Sequence, residues 1–332
     1  MTPMTHAAIT GVGAYLPERI VTNDDMAKMV ETSDEWIRTR TGIRERRIAA
    51  EDQATSDLGV GAARAALTDA GLAPADIDLL VVGTSSPDMV MPSSACLLQA
   101  KLGLSCPAFD VMAACTSFIY AIQVATSAIE SGRARRALVV GADALTRLID
   151  FSDRRTCVLF GDGAGAFVLE ANDEPGILGI DLGADGSKPE VLQIPAGGSA
   201  MPATCQTVED GLHFVQMNGQ EVFKFAVRAI PATTKKALAA SDLTIDDVTW
   251  LVPHQANQRI LDTVADRLHL PHERVFSNIE CLGNTSAASI PLAVNDLYTS
   301  GSLRRGDVLA LVGFGAGLTW GAAIVRWTKE DL

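Results

Sequence analysis

The chain repeats itself, and that narrows its fold more than any other feature. Asp69-Ala70-Gly71-Leu72, then Asp76-Ile77-Asp78 and the apolar run Leu79–Val82, reads as a helix end, a loop and a buried strand. The same order returns about 170 residues later in Ala239-Ala240-Ser241-Asp242-Leu243, Asp246-Asp247-Val248-Thr249 and Trp250–Val252. A second strand pair, Ala137–Gly141 and Leu309–Gly313, keeps nearly the same offset. Three elements at one offset imply a duplicated α/β unit, residues 1–174 forming an N-terminal half and 175–332 a C-terminal half. Equivalent loops of such halves meet near a pseudo-twofold axis, so a site built there draws side chains from both.

The expected strands are Leu79–Val82, Ala137–Val140, Trp250–Val252 and Val308–Val312, short apolar runs of the kind that parallel sheets bury on both faces. The expected helices are Ser56–Ala70, Ser117–Glu130, Gly219–Ala239 and Ala287–Tyr298, with Gly71, Gly132 and Gly301 where three of them stop.

Composition excludes several function classes. With 48% hydrophobic and 20% charged residues in 332, the chain is expected to be soluble and globular. A net charge of -13 argues against a broad nucleic-acid surface, which needs clustered Lys and Arg. Arg38, Arg40, Arg44, Arg46 and Arg47 form either a local patch for an acidic partner or an ordinary solvated face. No stretch approaches the roughly 20 apolar residues of a membrane span. Met1 to His6 has no basic region followed by an apolar core, so no secretion signal is expected. The six cysteines form no CxxC pair and stand at no zinc spacing from a His, so neither disulfides nor a metal site is expected, and the cytoplasm is the expected compartment.

Three residues stand where chemistry is done in α/β proteins. Cys115 ends the apolar run Phe109–Ala114 and precedes a helical pattern; a helix start favours a thiolate. Taken alone, it is more often a small buried hydrophobe, as most free cysteines are. Cys96, after Pro92-Ser93-Ser94, is a rival without the preceding strand. His254 follows the strand Trp250–Pro253, facing the crevice at strand carboxyl ends where ligands bind. Asn284, in Gly283-Asn284-Thr285-Ser286, falls near the duplicate of the cysteine's turn; taken alone it is equally an ordinary turn residue, as His254 taken alone can be a satisfied structural histidine. Phe314-Gly315-Ala316-Gly317 either aims backbone N–H groups at an oxyanion or is a tight turn. Gly161-Asp162-Gly163-Ala164-Gly165 is not a dinucleotide fingerprint, because a strand pattern follows it rather than a helix.

With Cys115, His254 and Asn284 in this order, the chain closely resembles the β-ketoacyl-acyl-carrier-protein synthase III family, nearly end to end. The matching segments are Thr32–Trp36, Thr41–Arg46, Asp110–Cys115, Phe160–Gly165, Val252–Asn257 and Gly283–Ala288. The resemblance implies a dimeric, five-layered αβαβα thiolase fold. It also implies a decarboxylative condensation of an acyl-CoA primer with malonyl-acyl carrier protein, without metal or redox cofactor. It makes Cys115 the nucleophile, His254 and Asn284 the donors to the malonyl thioester oxygen, and the backbone of Cys115 and Ala316 the oxyanion hole. It assigns Trp36, Arg40, Arg154 and Asn257 to coenzyme A, Met91 to the acyl pocket, often donated across the dimer, and Lys224 and Arg259 to carrier docking.

Four departures from the family pattern bear on the primer and the carrier. Met91 replaces a frequent Phe, Ser117 and Ala316 replace frequent Gly, and Asp266 stands where Lys is common. Three other readings compete: a starter-unit acyltransferase of specialised metabolism, a Cys-His-Asn hydrolase, and a noncatalytic binding module.

Overall fold

The computed structural model describes residues 5–330. Met1 to Met4, the head of the stretch in which no secretion signal is expected, and Asp331-Leu332 lie outside the described residues.

Two sheets carry the fold. In the first, β1 (His6–Tyr15), β2 (Leu79–Gly83), β3 (Ala108–Val111), β4 (Arg136–Asp143) and β5 (Gly163–Asn172) lie in the order β1-β5-β4-β2-β3. In the second, β6 (Ile177–Ala184), β7 (Trp250–Pro253), β8 (Val308–Gly315) and β9 (Thr319–Arg326) lie in the order β6-β9-β8-β7. The two orders correspond strand for strand. β1·β5 and β6·β9 are antiparallel, as are β5·β4 and β9·β8, whereas β4·β2 and β8·β7 are parallel. Even β3, parallel to β2, has a remnant beside β7 in the single parallel bridge Leu251–Val275.

The main helices are α1 (Asp34–Thr41), α2 (Thr55–Ala70), α3 (Ser94–Leu102), α4 (Ser117–Glu130), α5 (Gly219–Ala239), α6 (Gln258–Leu268) and α7 (Ser289–Thr299). Helices α2 and α5 precede β2 and β7; α3 and α6 follow them; α4 and α7 precede β4 and β8. Ser289 lies 172 residues after Ser117, the same interval that separates Leu309 from Ala137.

Side-chain alternation along the strands builds the layers. Leu80 and Val140 point outward to Leu58, Ala62 and Leu98 of α2 and α3. Val81 and Val139, their neighbours in sequence, point inward to Phe118 and Ile122 of α4. In the second sheet Leu309 and Leu311 join the same central layer, with Ile290 and Val294 of α7, while Ala310 and Val312 face Ile230 and Val264 of α5 and α6. Helices therefore cover both sheets on both faces, giving five layers, and the strands read as continuous apolar runs for that reason.

Helices α4 and α5 match the sequence expectation residue for residue, and Gly71, Gly132 and Gly301 adopt positive φ as helix stops should. Helix α7 begins at Ser289 instead of Ala287, because Ser286 is left-handed (φ +51) and only one 3-10 turn, Ser286–Ala288, fits before the helix. Strands β4 and β8 run on to Asp143 and Gly315, which carries them into the site. Among the described residues no helix is long and apolar enough to cross a membrane.

Candidate active site

Cys115 stands on a strained turn between β3 and α4. Ala114 is left-handed (φ +49), which costs a non-glycine residue about 1–3 kcal/mol. Two hydroxyls hold the turn. Ser117 Oγ accepts from the Ala113 N–H at 2.8 Å and donates to the Ala114 carbonyl at 2.6 Å. Thr319 Oγ1 lies 2.9 Å from the Ala113 carbonyl and 3.0 Å from the Ala316 carbonyl, tying the Phe314–Gly317 turn to the cysteine's turn. Ser117, an added side chain relative to the family pattern, thus closes the turn beneath the nucleophile. Gly315 passes so close that a Cβ there would sit 2.7 Å from the Cys115 backbone nitrogen.

The second half repeats this turn. Ser286 (φ +51) follows Ala114 by 172 residues and precedes α7 as Ala114 precedes α4. The strict counterpart of Cys115 is therefore Ala287, and Asn284 sits three residues short of that symmetric position.

Cys115, His254 and Asn284 line one cavity of about 120 Å³, with Phe314 and Gly315. The cysteine is buried, and burial pushes its thiol up to about 12. The sequence expectation of a lowered thiol pKa is not met: Cys115 lies two residues before α4, and desolvation outweighs the helix start. Its side-chain partner is Ser286, whose hydroxyl donates to Sγ at 3.4 Å and draws the pKa the other way. His254 is anchored by its N–H to the Val312 carbonyl at 2.7 Å and packs edge-on against Phe314. It is 1% exposed, and burial draws its pKa down to about 3, so the ring is neutral. Its Nδ1 lies 2.7 Å from Ser289 Oγ.

Asn284 is spliced to the loop before β5. Its N–H donates to the Leu159 carbonyl at 2.9 Å, and its own carbonyl accepts from Gly161 at 3.0 Å. The Ser286 N–H donates to its side chain at 2.9 Å, so the amide atom there is the oxygen, and the NH₂ group is left for the cavity. The glycine-rich run therefore positions Asn284 before entering β5 as a strand, as the sequence pattern implies.

Asp143 joins the halves beneath this arrangement. Its Oδ1 accepts from the Ser85 and Ser86 N–H groups and the Thr84 and Ser86 hydroxyls; its Oδ2 accepts from Ala287 N–H at 2.9 Å. Burial pushes its carboxyl up, opposed by these donors. Sequence reasoning misses Asp143, Ser286 and Ser289. The serines at both ends of Ser286-Ala287-Ala288-Ser289 are the signal for the latter two.

Two further cavities reach the site. One of about 420 Å³ leads from Cys115 past Met112, Leu145, Ile194, Val215 and Ala316. Met91 does not line it and is 80% exposed. The other, about 940 Å³, is a cationic mouth lined by Arg40, Arg155, Lys224 and Arg259, with Asn257 shared between mouth and inner cavity. Lys224 is ion-paired with Glu221 at 2.9 Å and Arg155 with Asp153 at 2.8 Å. Arg155, which no sequence motif marks, lines this mouth next in sequence to the expected Arg154. Arg40 and Arg154 stack over Trp36, 5.1 and 5.2 Å from its ring centre. Asn257 donates to the Arg40 carbonyl at 3.1 Å. Arg46 leaves the surface cluster expected of it: it is fully buried, donating to the carbonyls of Val21 and Val158 and to Asn23 Oδ1. Cys96 is exposed and outside the cavity that His254 and Asn284 share.

Known proteins resemble the chain nearly from end to end. Residues 109–186 match the family described as 3-oxoacyl-[acyl-carrier-protein (ACP)] synthase III, and residues 238–327 match its C-terminal counterpart. A β-ketoacyl-[acyl-carrier-protein] synthase III of Natranaerobius thermophilus is 51% identical over 98% of this chain and 100% of its own. One from Xanthomonas campestris pv. campestris is also 51% identical, with the same coverage. The crystal structure of the Pseudomonas aeruginosa synthase III superposes with a TM-score of 0.90 at 44% identity, covering 98% of this chain and 99% of that one. The priming β-ketosynthase of the R1128 polyketide pathway gives 0.92 at 38%, covering 99% and 98%. Matched this closely from end to end, on a two-sheet frame that brings a cysteine, a histidine and an asparagine to one cavity, the chain belongs to the 3-oxoacyl-[acyl-carrier-protein] synthase III family of thiolase-fold condensing enzymes.

Proposed function

We propose that the chain joins an acyl-CoA primer to malonyl-acyl carrier protein with loss of carbon dioxide, the condensation that initiates fatty-acid synthesis, using Cys115, His254 and Asn284. The observation that carries the assignment of residues is the shared 120 Å³ cavity, with a buried thiol, a neutral imidazole and an oriented carboxamide. In the first half-reaction Cys115 sulfur bonds to the primer carbonyl, and the thiol proton leaves with the coenzyme A thiolate as free CoASH. The backbone N–H groups of Cys115 and Ala316 hold the oxyanion. In the second, the malonyl carboxylate departs as carbon dioxide, and its bonding pair becomes an enolate. His254 and the Asn284 NH₂ donate to the enolate oxygen; neutrality suits His254 to that role, since a ring with pKa about 3 is a weak base. The enolate carbon attacks the acyl-cysteine, and the freed thiolate takes up one proton. No step calls on a metal or redox cofactor.

The cationic mouth supports the substrate assignments. Arg40 and Asn257 would meet the pantetheine arm, and Trp36 and Arg154 the adenine. A base stacked between the last two needs about 7 Å from ring to guanidinium against the 5.2 Å present, so the exposed Arg154 must swing outward to admit it. Lys224 and Arg259 would dock the carrier, a local attraction on a protein of net charge -13. Asp266, exposed and 3.1 Å from His272, brings no cation to that surface.

The working unit in this reading is a homodimer in the cytoplasm. Strand β3 is an edge of its sheet, and Phe109, Met112, Val90 and Met91 are exposed around it, an apolar margin suited to a second copy. Met91 would then close the partner's 420 Å³ acyl cavity. All six cysteines are unpaired, which suits a reducing compartment. The test is intact-mass spectrometry after exposure to a panel of acyl-CoAs, then to malonyl carrier protein. One acyl group on Cys115, transferred to a ketoacyl carrier product, is the expected result. Acylation of Cys96, or release of free acid, would overturn the reading.

A further inference from the structure

We propose that Ser289 sets the tautomer of His254, its hydroxyl donating to Nδ1 so that the ring's single hydrogen sits on Nε2. The inference rests on the enolate-donor role given to His254 above, and it adds a positioning residue to that site.

The argument is one of satisfying hydrogen bonds. His254 is 1% exposed and neutral, so exactly one ring nitrogen carries a hydrogen. Nδ1 lies 2.7 Å from Ser289 Oγ. Two arrangements fit that distance. If Nδ1–H donates to the hydroxyl oxygen, the Ser289 O–H needs another acceptor. Among the described residues Ser289 Oγ has no hydrogen-bond partner besides Nδ1, and Ser289 is itself 1% exposed. That arrangement strands a buried O–H, which folded proteins avoid. If the hydroxyl donates to Nδ1, both groups are satisfied and Nε2–H is left free. A carbonyl or carboxylate at this place would have done the opposite, forcing the hydrogen onto Nδ1 and leaving Nε2 a bare acceptor facing an enolate oxygen. Ser289 is held in position because it opens α7, immediately after the Ser286–Ala288 turn. The same short segment thus orients both donors: Ser286 N–H fixes the Asn284 amide, and Ser289 fixes the imidazole.

The test uses the full-length enzyme labelled with nitrogen-15 at its five histidines, with His254→Asn to assign the His254 signals. Wild type is expected to show a protonated Nε2 and a bare Nδ1. Ser289→Ala is expected to load its acyl group at the wild-type rate yet decarboxylate malonyl carrier protein about 10- to 100-fold more slowly, short of the about 100–1,000-fold loss from deleting an oxyanion donor. Ser289→Thr, which keeps the hydroxyl, should recover most of that rate. Ser289→Asp should move the hydrogen to Nδ1. A wild-type spectrum with hydrogen on Nδ1 would overturn the proposal without reference to activity, and so would a Ser289→Ala enzyme that decarboxylates normally. An enzyme with Nε2–H that performs no condensation would refute the functional reading and still support the tautomer.

Discussion

A methyl group added at Gly315 tests whether the approach of β8 to the nucleophile's turn is functional. The Cβ of Gly315→Ala would stand 2.7 Å from the Cys115 nitrogen, 3.0 Å from Ala114 Cβ and 3.3 Å from the Ala113 carbonyl oxygen. Ordinary contact begins at about 3.4 Å, so the backbone must separate by roughly 0.7 Å. It cannot do so freely, because Ser117 and Thr319 clamp the same turn and Ala114 is already left-handed. Overpacking of this kind costs about 1–3 kcal/mol of stability. Its effect on catalysis is larger, since an ångström of misplacement at a reacting group costs about 100-fold. The proposed oxyanion donor, Cys115 N–H, is the very group displaced. Gly313→Ala is the control. It lies two residues earlier on the same strand, and its Cβ would meet Ile290 Cδ1, Thr116 Cα and the Cys115 carbonyl oxygen at 3.6, 3.6 and 3.7 Å, all ordinary contacts. The assay is the rate of acyl transfer to Cys115 by rapid-quench mass spectrometry, with urea unfolding at fixed protein concentration. Gly315→Ala should acylate roughly 100-fold more slowly while Gly313→Ala stays near wild type. If the two variants acylate alike, steric closeness at Gly315 is not what holds the nucleophile in register.

Other perturbations separate the roles of the remaining groups. His254→Ala and Asn284→Ala should each still accept the acyl group but lose about 100–1,000-fold in malonyl decarboxylation; loss of acylation instead would move both residues to the first half-reaction. The decarboxylation rate of the acyl-enzyme should show no step between about pH 5 and 8, because His254, drawn down from 6.5 to about 3, does not titrate there. The same shift has a sign for stability: the unfolded chain takes up a proton on this histidine below 6.5 and the folded one does not. Its contribution is therefore present above 6.5 and fades as pH falls toward 3, measurable as unfolding free energy against pH and contradicted by a contribution that grows on acidification. Met91→Phe should disfavour six- to eight-carbon primers relative to acetyl-CoA in the dimer, with about 1–3 kcal/mol per misfitted methylene; an unchanged ratio of kcat/KM values would remove Met91 from the acyl pocket.

Local chemistry explains why much of this molecule can be read from its sequence. Helices α4 and α5 are visible to the residue because apolar periodicity is local, as is the glycine stop, Gly132, just after α4. The duplication is visible because both halves solve the same packing problem with the same element order, and it leads to Cys115, His254 and Asn284 as residues facing one axis. The start of α7 is not visible, since a serine with φ +51 gives no sign of its backbone in its name. Nor is the tie between Thr319 and the cysteine's turn, whose Ala113 carbonyl lies 206 residues away in the chain.

What the sequence determines alone is the inventory: which residues carry a thiol, an imidazole or a carboxamide, and that they end strands or begin helices in two similar halves. What only the tertiary structure decides is the state of those groups. A helix start by itself predicts a lowered thiol pKa, yet burial pushes Cys115 up to about 12 and draws His254 down to about 3. A serine at the first position of α7 becomes the partner of an imidazole 35 residues away. An arginine counted among surface cations closes the core instead. Desolvation and hydrogen-bond partnership are properties of the packed surroundings, and those surroundings come from segments far apart in the chain, so no local pattern can encode them.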